Sequence, residues 1–220
     1  MFESVIIQSP KRDRKMQTEW EGFFPYYAGF SESFARSLLS SLKFKHNNPI
    51  ILDPWNGSGT TTYTATSLGL KSVGIDINPV MSIIARTRLL PKSEADSIEP
   101  LAKEIIHHAS RHRQPVDKHD PLRQWFGRKS VESIRSLESS IRRHLVGAQT
   151  CAADSIHLER LSGLASTYYV ALFSTSSRLG AEHALRKAAL PTIWALFEAE
   201  RRRVTCCFFN VARMRSTDSD

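Results

Sequence analysis

The sequence lacks the features that mark membrane, secreted and disulfide-rich proteins. No apolar run approaches the roughly 20 residues of a membrane-spanning helix, so no membrane contact is expected. There are only three cysteines, Cys151 and the adjacent Cys206 and Cys207, which form neither a disulfide framework nor a metal-ligand pattern. The N-terminal charges follow a very short apolar stretch, whereas a secretory signal has the opposite order. These absences predict an intracellular, cytoplasmic protein.

The composition is that of a folded protein with an excess of positive charge. Of the 220 residues, 41% are hydrophobic and 24% are charged, which is close to globular averages. A chain of this length can bury a core without disulfides or a structural metal. Lys and Arg total 30 against 22 Asp and Glu, a formal charge of +8. The excess favours a polyanionic partner such as DNA, because neutralised phosphates release counterions.

Residues 23–91 have the pattern of an α/β half-domain, after a polar segment, residues 1–22, that is predicted to be flexible. Ser31 is a plausible N-cap for a first amphipathic helix. Two short apolar runs, Pro49–Asp53 and Ser72–Asp76, are typical of buried strands. A glycine loop and a helix from Thr60 to Leu68 separate the strands, and Pro79 suits the first turn of another helix. The order strand, helix, strand, helix predicts the opening of a parallel, doubly wound α/β sheet.

The rest of the chain is predicted to be almost wholly helical. Amphipathic periodicity recurs around residues 101–106, 131–145 and 158–172. Residues 92–203 are therefore expected to form a large helical insertion or subdomain, since a usual crossover between strands is far shorter. Val204–Phe209 resembles a strand, so residues 204–220 are assigned as a strand and a tail.

The loop Pro54–Gly59 lies where a sheet of this type binds ligands, at the carboxyl end of its first strand. Asp76 ends the second strand, 19 residues after Gly57, and a carboxylate there can accept hydrogen bonds from both hydroxyls of a ribose. A dinucleotide fingerprint would need a glycine where Thr62 stands, and a phosphate-binding P-loop would need a lysine in the loop. The pattern thus favours a nucleoside over a dinucleotide or a nucleoside triphosphate.

Three motifs resemble a known family. The run Asp53-Pro-Trp-Asn-Gly-Ser-Gly-Thr-Thr61 resembles the Asp-Pro-Phe-x-Gly-Ser-Gly-Thr-Thr motif of S-adenosylmethionine-dependent DNA methyltransferases that modify the amino group of adenine or cytosine. The run Gly74-Ile-Asp-Ile-Asn-Pro79 is similar to the family's second motif. Upstream, Phe24-Pro-Tyr-Tyr-Ala-Gly-Phe30 is similar to the segment that closes over the methionine part of the cofactor. The matches cover about residues 23–90.

The resemblance implies a Rossmann-like class I methyltransferase core with S-adenosylmethionine as cofactor, and a role in DNA methylation such as that of restriction–modification systems. Asp53, Gly57 and Gly59 would line the methionine side, and Asp76 would hold the ribose. Ile77 would pack near the adenine. The remaining implied cofactor residues are Phe24, Pro25, Tyr26, Trp55, Thr60 and Thr61. The amides of Thr60 and Thr61 open a helix and could receive the cofactor carboxylate, and Trp55 is either an apolar wall near the sulfonium or a core aromatic.

One family motif has no match in this sequence. Such enzymes hold the flipped target base with an Asp/Asn/Ser-Pro-Pro-aromatic motif, and the chain has no Pro-Pro dipeptide. The catalytic residues therefore stay unknown, and the core is expected to be incomplete. Either the chain is the N-terminal part of a methyltransferase whose remainder lies in another polypeptide, as in a split enzyme, or was lost to a frameshift or early stop, or it is a cofactor-binding or DNA-binding protein without transfer activity. An incomplete sheet would expose an edge and an apolar face, which predicts self-association or a need for a partner.

Other candidate sites are weak. His107, His108 and His112 lie close in sequence, but without a carboxylate or cysteine to complete a set they are interpreted as a solvated helix face rather than a metal site. Arginine clusters, among them Arg111 with Arg113 and Arg142 with Arg143, are candidate phosphate contacts, although a solvated face is the more common role of such clusters. No metal is predicted, and no spacing favours a hydrolase.

Overall fold

The computed structural model describes residues 7–11, 29–45, 49–147, 161–183 and 211–212. Within these ranges the chain is mixed α/β, as predicted, with six α-helices and a small sheet. The chain divides into two compact units, which are described separately below. Unit 1 comprises residues 1–89 and 208–220, and unit 2 comprises residues 90–207.

Unit 1 contains three helices and three strands in the described residues. The helices are α1 (Glu32–Lys45), α2 (Thr60–Ser67) and α3 (Pro79–Thr87), and the strands are β1 (Ile50–Asp53), β2 (Lys71–Ile75) and β3 (Val211–Ala212). Each of the two strands and three helices predicted between residues 31 and 90 is confirmed, with bounds that differ by a residue or two at some ends.

Local sequence explains where two of these helices begin. The Ser31 hydroxyl accepts a hydrogen bond from the Phe34 amide at 3.2 Å, so Ser31 caps α1 as predicted. The Asn78 side chain likewise accepts from the Val80 amide at 3.0 Å. Pro79 follows at the first helical position, where its missing N–H costs no hydrogen bond.

The sheet has the order β1-β2-β3. Strands β1 and β2 pair in parallel, with Ile50 opposite Lys71 and Asp53 opposite Gly74. The connection between them contains α2, as expected for parallel neighbours. The two-residue β3 pairs antiparallel with the end of β2. The predicted strand Val204–Phe209 lies outside the described residues, and a complete Rossmann-like sheet stays a prediction.

One face of β1 is packed and the other is exposed. Ile51 contacts a buried cluster of Leu39 on α1, Ala65 on α2 and Leu70. The side chains of Ile50 and Leu52, which point to the opposite face, are 68% and 63% exposed. The packed face holds α1 and α2 against the strand, and this fixes the loop between β1 and α2.

Unit 2 is helical in its described residues. Its α-helices are α4 (Ala95–Arg111), α5 (Arg128–Leu145) and α6 (Gly163–His183), and its short 3-10 helices are Lys92–Glu94 and Pro121–Gln124. Apolar side chains at helical spacing on α4 and α5, such as Ile105, Val131 and Ile134, are buried as their periodicity predicts. Tyr168 and Tyr169 on α6 are also buried. No helix among the described residues is long and apolar enough to span a membrane.

Candidate functional site

Two carboxylates lie at the same edge of the sheet in unit 1. Asp53 is the last residue of β1, and Asp76 directly follows β2. Because the two strands are parallel neighbours, their carboxyl ends meet at this edge. The carboxylate of Asp53 accepts a hydrogen bond from the Trp55 amide at 3.0 Å and so shapes the start of the loop. The roles predicted for Asp53 at the methionine side and for Asp76 at the ribose stay predictions.

Asp76 joins the loop to the start of α3. Its Oδ2 accepts a hydrogen bond from the Gly57 amide at 2.8 Å, and its Oδ1 accepts one from the Asn78 amide at 2.8 Å. An ionised carboxylate has about four acceptor positions. Both oxygens can therefore accept a further hydrogen bond from a ligand hydroxyl while they keep the loop in place.

The loop needs glycine at two of its positions. Gly57 and Gly59 have φ angles of 51° and 81°, in the left-handed region that favours glycine. A Cβ atom at Gly59 would also lie 2.7 Å from the Cβ of Ala85 on α3. The glycines therefore allow both the turn of the loop and the close approach of α2 to α3.

Helix α2 begins directly after Gly59, and no side chain caps its first turn. The Gly59 carbonyl accepts from the Tyr63 amide at 2.9 Å, but among the described residues the amides of Thr60 and Thr61 donate to no protein group. Free amides at a helix N-terminus attract anions, because the helix dipole adds to their partial positive charge.

A small cavity lies beside the loop. Its volume is about 180 Å³, and the residues lining it are Gly29, Phe30, Trp55, Asn56, Gly57, Ser58 and Thr60. Typical sites for small molecules occupy about 300–1,000 Å³, so this cavity would hold only part of a cofactor. Its lining brings residues from the segment before α1 together with the loop.

Trp55 and Ile77 both lie at the surface. Trp55 is 79% exposed, so the alternative that it is a core aromatic is wrong. Its position in the lining of the cavity leaves the role of an apolar wall open. Ile77 is 94% exposed next to Asp76, where its side chain contacts solvent rather than the core. Phe24, Pro25 and Tyr26 lie outside the described residues.

Asn56 is a structural residue of the loop that the sequence reasoning missed. Its amide donates to the Ile75 carbonyl at 2.9 Å, and its Oδ1 accepts from the Thr62 hydroxyl at 3.2 Å. A Cβ atom at Gly74 would lie only 2.5 Å from the Asn56 side chain. Gly74 therefore leaves the space that Asn56 occupies. Gly74 in the second motif indicates that some side chain packs closely there. The sequence does not show that this side chain is Asn56, 18 residues away.

Arg88 and Glu32 form the second feature that the sequence did not reveal. The Arg88 side chain is only 3% exposed and forms an ion pair with Glu32 on α1. Its Nη1 donates to the hydroxyl of Thr60 at 3.1 Å. Neither residue stands in one of the recognised motifs, and 56 residues separate them in the sequence.

Of the three histidines on this helix face, only His108 departs from the interpretation as a solvated face. His107 and His112 are exposed, but both ring nitrogens of His108 are inaccessible to solvent and have no hydrogen-bond partner among the described residues. The His108 ring stacks on His112 with centroids 4.2 Å apart and meets His144 edge-on at 5.1 Å. Burial, followed by the charges of His112, Arg143, His144 and His107, lowers the pKa of His108 below its ordinary value. No group of side chains among the described residues is arranged to hold a metal.

Arg142 is engaged within unit 2. Its guanidinium donates to the Glu138 carboxylate at 2.9 Å and forms an ion pair along α5. Arg111, Arg113 and Arg143 are exposed. Of the arginine clusters that were candidates for phosphate contacts, the described part therefore offers these three as the more accessible.

The N-terminal part of the chain is similar to known proteins. Residues 2–86 match the family model of N6/N4 DNA methyltransferases, described as DNA methylase. The chain is 43% identical over 58 residues to the type II methyltransferase M.BsoBI of Geobacillus stearothermophilus. It is 37% identical over 70 residues to the type II methyltransferase M.MjaII of Methanocaldococcus jannaschii.

These similarities cover a limited part of each protein. The segments span 26% and 31% of this chain, and 11% and 12% of M.BsoBI and M.MjaII, respectively. No solved structure gives a significant match to the chain. The match to the family includes the loop, Asp76 and most of α3.

Proposed function

Because residues 2–86 match the family model of N6/N4 DNA methyltransferases and the chain resembles segments of two type II methyltransferases, we propose that unit 1 binds S-adenosylmethionine for methylation of a DNA base. The observation that carries the proposal is the position of Asp76. Its carboxylate lies at the ligand-binding edge of the sheet, holds the glycine loop through Gly57, and retains free acceptor positions.

The ribose of the cofactor would bind at Asp76. Hydrogen bonds from two ribose hydroxyls to one carboxylate are charge-assisted and therefore stronger than those between neutral groups. The adenine would extend past Ile77, whose exposed side chain offers an apolar surface for the ring. The adenine ring would cover the Ile77 side chain, so Ile77 would be shielded from solvent when the cofactor is bound.

The methionine part would lie along the loop toward α2. Its carboxylate would accept hydrogen bonds from the amides of Thr60 and Thr61, which have no protein acceptor among the described residues. Gly57 and Gly59 would let the backbone approach the ligand, and Trp55 would border the sulfonium. The small cavity beside the loop would receive this part of the cofactor. The upstream segment with Phe24, Pro25 and Tyr26 would close over it.

S-adenosylmethionine supplies an electrophilic methyl group on its sulfonium, so the protein needs no covalent nucleophile. The role of the chain is to hold the cofactor in one orientation and to exclude water from its methyl group. The substrate would be the exocyclic amino group of adenine or cytosine in DNA. The Pro-Pro-aromatic motif, which these 220 residues do not contain, would come from outside them, for example from a second polypeptide.

The ribose site is tested with Asp76→Ala. The substitution removes charge-assisted hydrogen bonds of about 1.5–3 kcal/mol, so we expect affinity for S-adenosylmethionine to fall by roughly tenfold to more than a hundredfold. Calorimetric titration of the parent and the variant measures the change. Equal affinity in the two proteins would contradict the proposed place of the ribose.

Asp117→Ala is a matched control for this experiment. Asp117 in unit 2 also accepts a hydrogen bond from the amide two residues ahead, that of His119, at 2.8 Å. Its removal therefore loses a similar turn contact without touching the proposed site. The control is expected to bind S-adenosylmethionine with the affinity of the parent.

The alternative function is binding of the cofactor or of DNA without methyl transfer. It is favoured by the absence of a Pro-Pro dipeptide from the sequence. Incubation of the chain with tritiated S-adenosylmethionine and DNA, alone and with a polypeptide that carries the missing motif, separates the two. Incorporation that depends on both proteins would support a split enzyme, whereas cofactor binding without incorporation in either mixture would favour the alternative.

A further inference from the structure

Arg88 is a buried cation next to the loop in unit 1. Its Nη1 donates to the Thr60 hydroxyl at 3.1 Å and points to the Ser58 carbonyl at 3.4 Å. Its Nη2 donates to a carboxylate oxygen of Glu32. The guanidinium carbon also lies 4.8 Å from the centre of the Tyr63 ring. One side chain thus contacts α1, the loop and the first turn of α2.

The chemistry of these contacts suits arginine better than lysine. Its planar guanidinium carries five donors in a fixed geometry, whereas lysine carries a compact charge on a flexible chain. A buried charge is tolerated when its hydrogen bonds are satisfied, and here Glu32 supplies the opposite charge. The ion pair fixes the guanidinium, and the guanidinium fixes the side chain of Thr60.

We propose that Arg88 is a positioning residue that orients the start of α2 for the carboxyl end of the cofactor. The inference rests on the proposed cofactor site. Arg88 donates hydrogen bonds to the carbonyl of Ser58 and to the hydroxyl of Thr60. The amides of Thr60 and Thr61 then remain available to the ligand. Arg88 does not itself contact the ligand.

A pair of ligands separates this positioning role from a general structural role. S-adenosylmethionine has the amino-acid carboxylate, whereas 5′-methylthioadenosine keeps the adenosine and a methylthio group but has no carboxylate. If Arg88 orients the carboxylate site, Arg88→Met should lower the affinity for S-adenosylmethionine by about tenfold. This corresponds to the loss of one charge-assisted hydrogen bond between the cofactor carboxylate and an amide of α2. The affinity for 5′-methylthioadenosine should stay within about threefold of the parent value, since Asp76 still holds the ribose.

Two milder variants keep the test valid if Arg88→Met does not fold. Thr60→Val removes the hydroxyl that Arg88 contacts but keeps the backbone amide and the shape of the side chain. Glu32→Gln removes the opposite charge from the more accessible end of the contact, where the Glu32 side chain is 28% exposed. Both variants should lower the affinity for S-adenosylmethionine more than the affinity for 5′-methylthioadenosine.

Arg135→Met is the matched control. Arg135 forms a two-bond ion pair with Asp120 in unit 2, at 2.8 and 3.1 Å, and its side chain is 24% exposed. Its loss removes a comparable ion pair outside the proposed site. Circular dichroism verifies that each protein is folded at the temperature of the titration, and the control should bind both ligands as the parent does.

The outcomes separate this inference from the proposed function. Suppose that the parent binds S-adenosylmethionine. The positioning role would then be overturned if the variants at Arg88 and Thr60 lost affinity equally for both ligands, or lost affinity for neither. If the parent binds neither ligand, the proposed cofactor site is wrong and the role of Arg88 fails with it. Selective loss of S-adenosylmethionine supports both.

Discussion

At the scale of the residue, the loop depends on one close approach between a glycine and an asparagine. Asn56 is 7% exposed and lies over Gly74 of β2, where a Cβ atom would come within 2.5 Å of its side chain. The same side chain accepts a hydrogen bond from Thr62 on α2. Gly74 therefore determines how the loop crosses the sheet and meets α2.

Gly74→Ala is expected to destabilise unit 1 and weaken cofactor binding. The new methyl group must displace Asn56 and its hydrogen bond to Thr62, and overpacking of this kind typically costs about 1–3 kcal/mol. Urea unfolding followed by circular dichroism measures the change in the free energy of unfolding.

Gly127→Ala is the control for this substitution. Gly127 precedes α5 with a φ of −64°, and a Cβ atom there would meet nothing within 4 Å. We expect its effect to stay within about 0.5–1 kcal/mol, a modest loss for alanine at an N-cap. A similar loss in the two variants would contradict the steric role of Gly74.

The site residues predicted from sequence are those with a local signal. Gly57, Gly59 and Asp76 follow from the strand, loop and helix order, because their roles depend on backbone geometry near the strand ends. Asn56 and Arg88 were missed because their partners are distant in sequence. No periodicity or spacing indicates that Arg88 meets Glu32, since only the packing of α1 beside the loop brings them together.

At the scale of the element, α2 shows how packing overrides intrinsic preference. Its sequence is rich in threonine, which is a poor helix former. Thr62, Thr64 and Ala65 are nevertheless buried, and the Thr66 hydroxyl donates to the Thr62 carbonyl at 2.9 Å. The helix was predictable from its place between two strands rather than from its residues.

In unit 2, the contact between α4 and α5 encloses His108. The side chains of His112, which directly follows α4, and of His144 on α5 contact its ring. Arg143 adds positive charge near the ring, while the Glu104 carboxylate lies 3.8 Å from Nε2 of His144. Protonation of His108 would place a charge where its nitrogens have no hydrogen-bond partner within the described part of the chain.

This arrangement predicts that acid destabilises unit 2. The lowered pKa of His108 means that the unfolded chain, with a pKa near 6.5, binds a proton more readily than the folded chain. The free energy of unfolding should therefore fall as the pH decreases below about 6.5. Urea unfolding at pH 7.5 and pH 5.5 measures the difference.

His108→Leu should reduce this pH dependence, because leucine keeps an apolar contact and does not titrate. His119→Gln serves as the control, since His119 is exposed in a turn of the same unit. The control should retain the pH dependence of the parent. An unchanged slope in His108→Leu would show that other groups cause the loss in acid.

The helices of unit 2 were predictable from periodicity, but the environment of His108 was not. Apolar residues at spacings of three and four gave the buried face of α5, and Val131, Ile134 and Ile141 are buried accordingly. The sequence places His108 among polar neighbours, which favoured a solvated face. The ring nitrogens of His108 are inaccessible because α5 packs beside α4. A long connection separates these two helices in the sequence.

At the scale of the whole molecule, the exposed face of β1 is the main surface feature of unit 1. Ile50 and Leu52 are 68% and 63% exposed on one face of the strand. Leu52 is opposite Val73 on β2, so the apolar surface continues onto the neighbouring strand. Contiguous apolar surface favours association between proteins.

We expect the isolated chain to self-associate through this face. Leu52→Lys should shift the protein toward monomer, because a charge on this face opposes its burial. Sedimentation velocity over a range of concentrations measures the change. Ile106→Lys is the matched control, since Ile106 is 59% exposed on α4 of unit 2, and it should sediment as the parent does. A parent that is monomeric at every concentration would contradict the expectation.

Hydrogen exchange directly tests whether unit 1 binds S-adenosylmethionine at the loop between β1 and α2, as we propose. Mass spectrometry of the parent chain, with and without saturating S-adenosylmethionine, gives the change in exchange for each segment. We expect slower exchange in the segments that contain Gly57, Thr60, Thr61 and Asp76, and no change in α4 and α5. No protection at the loop, or protection confined to unit 2, would contradict it.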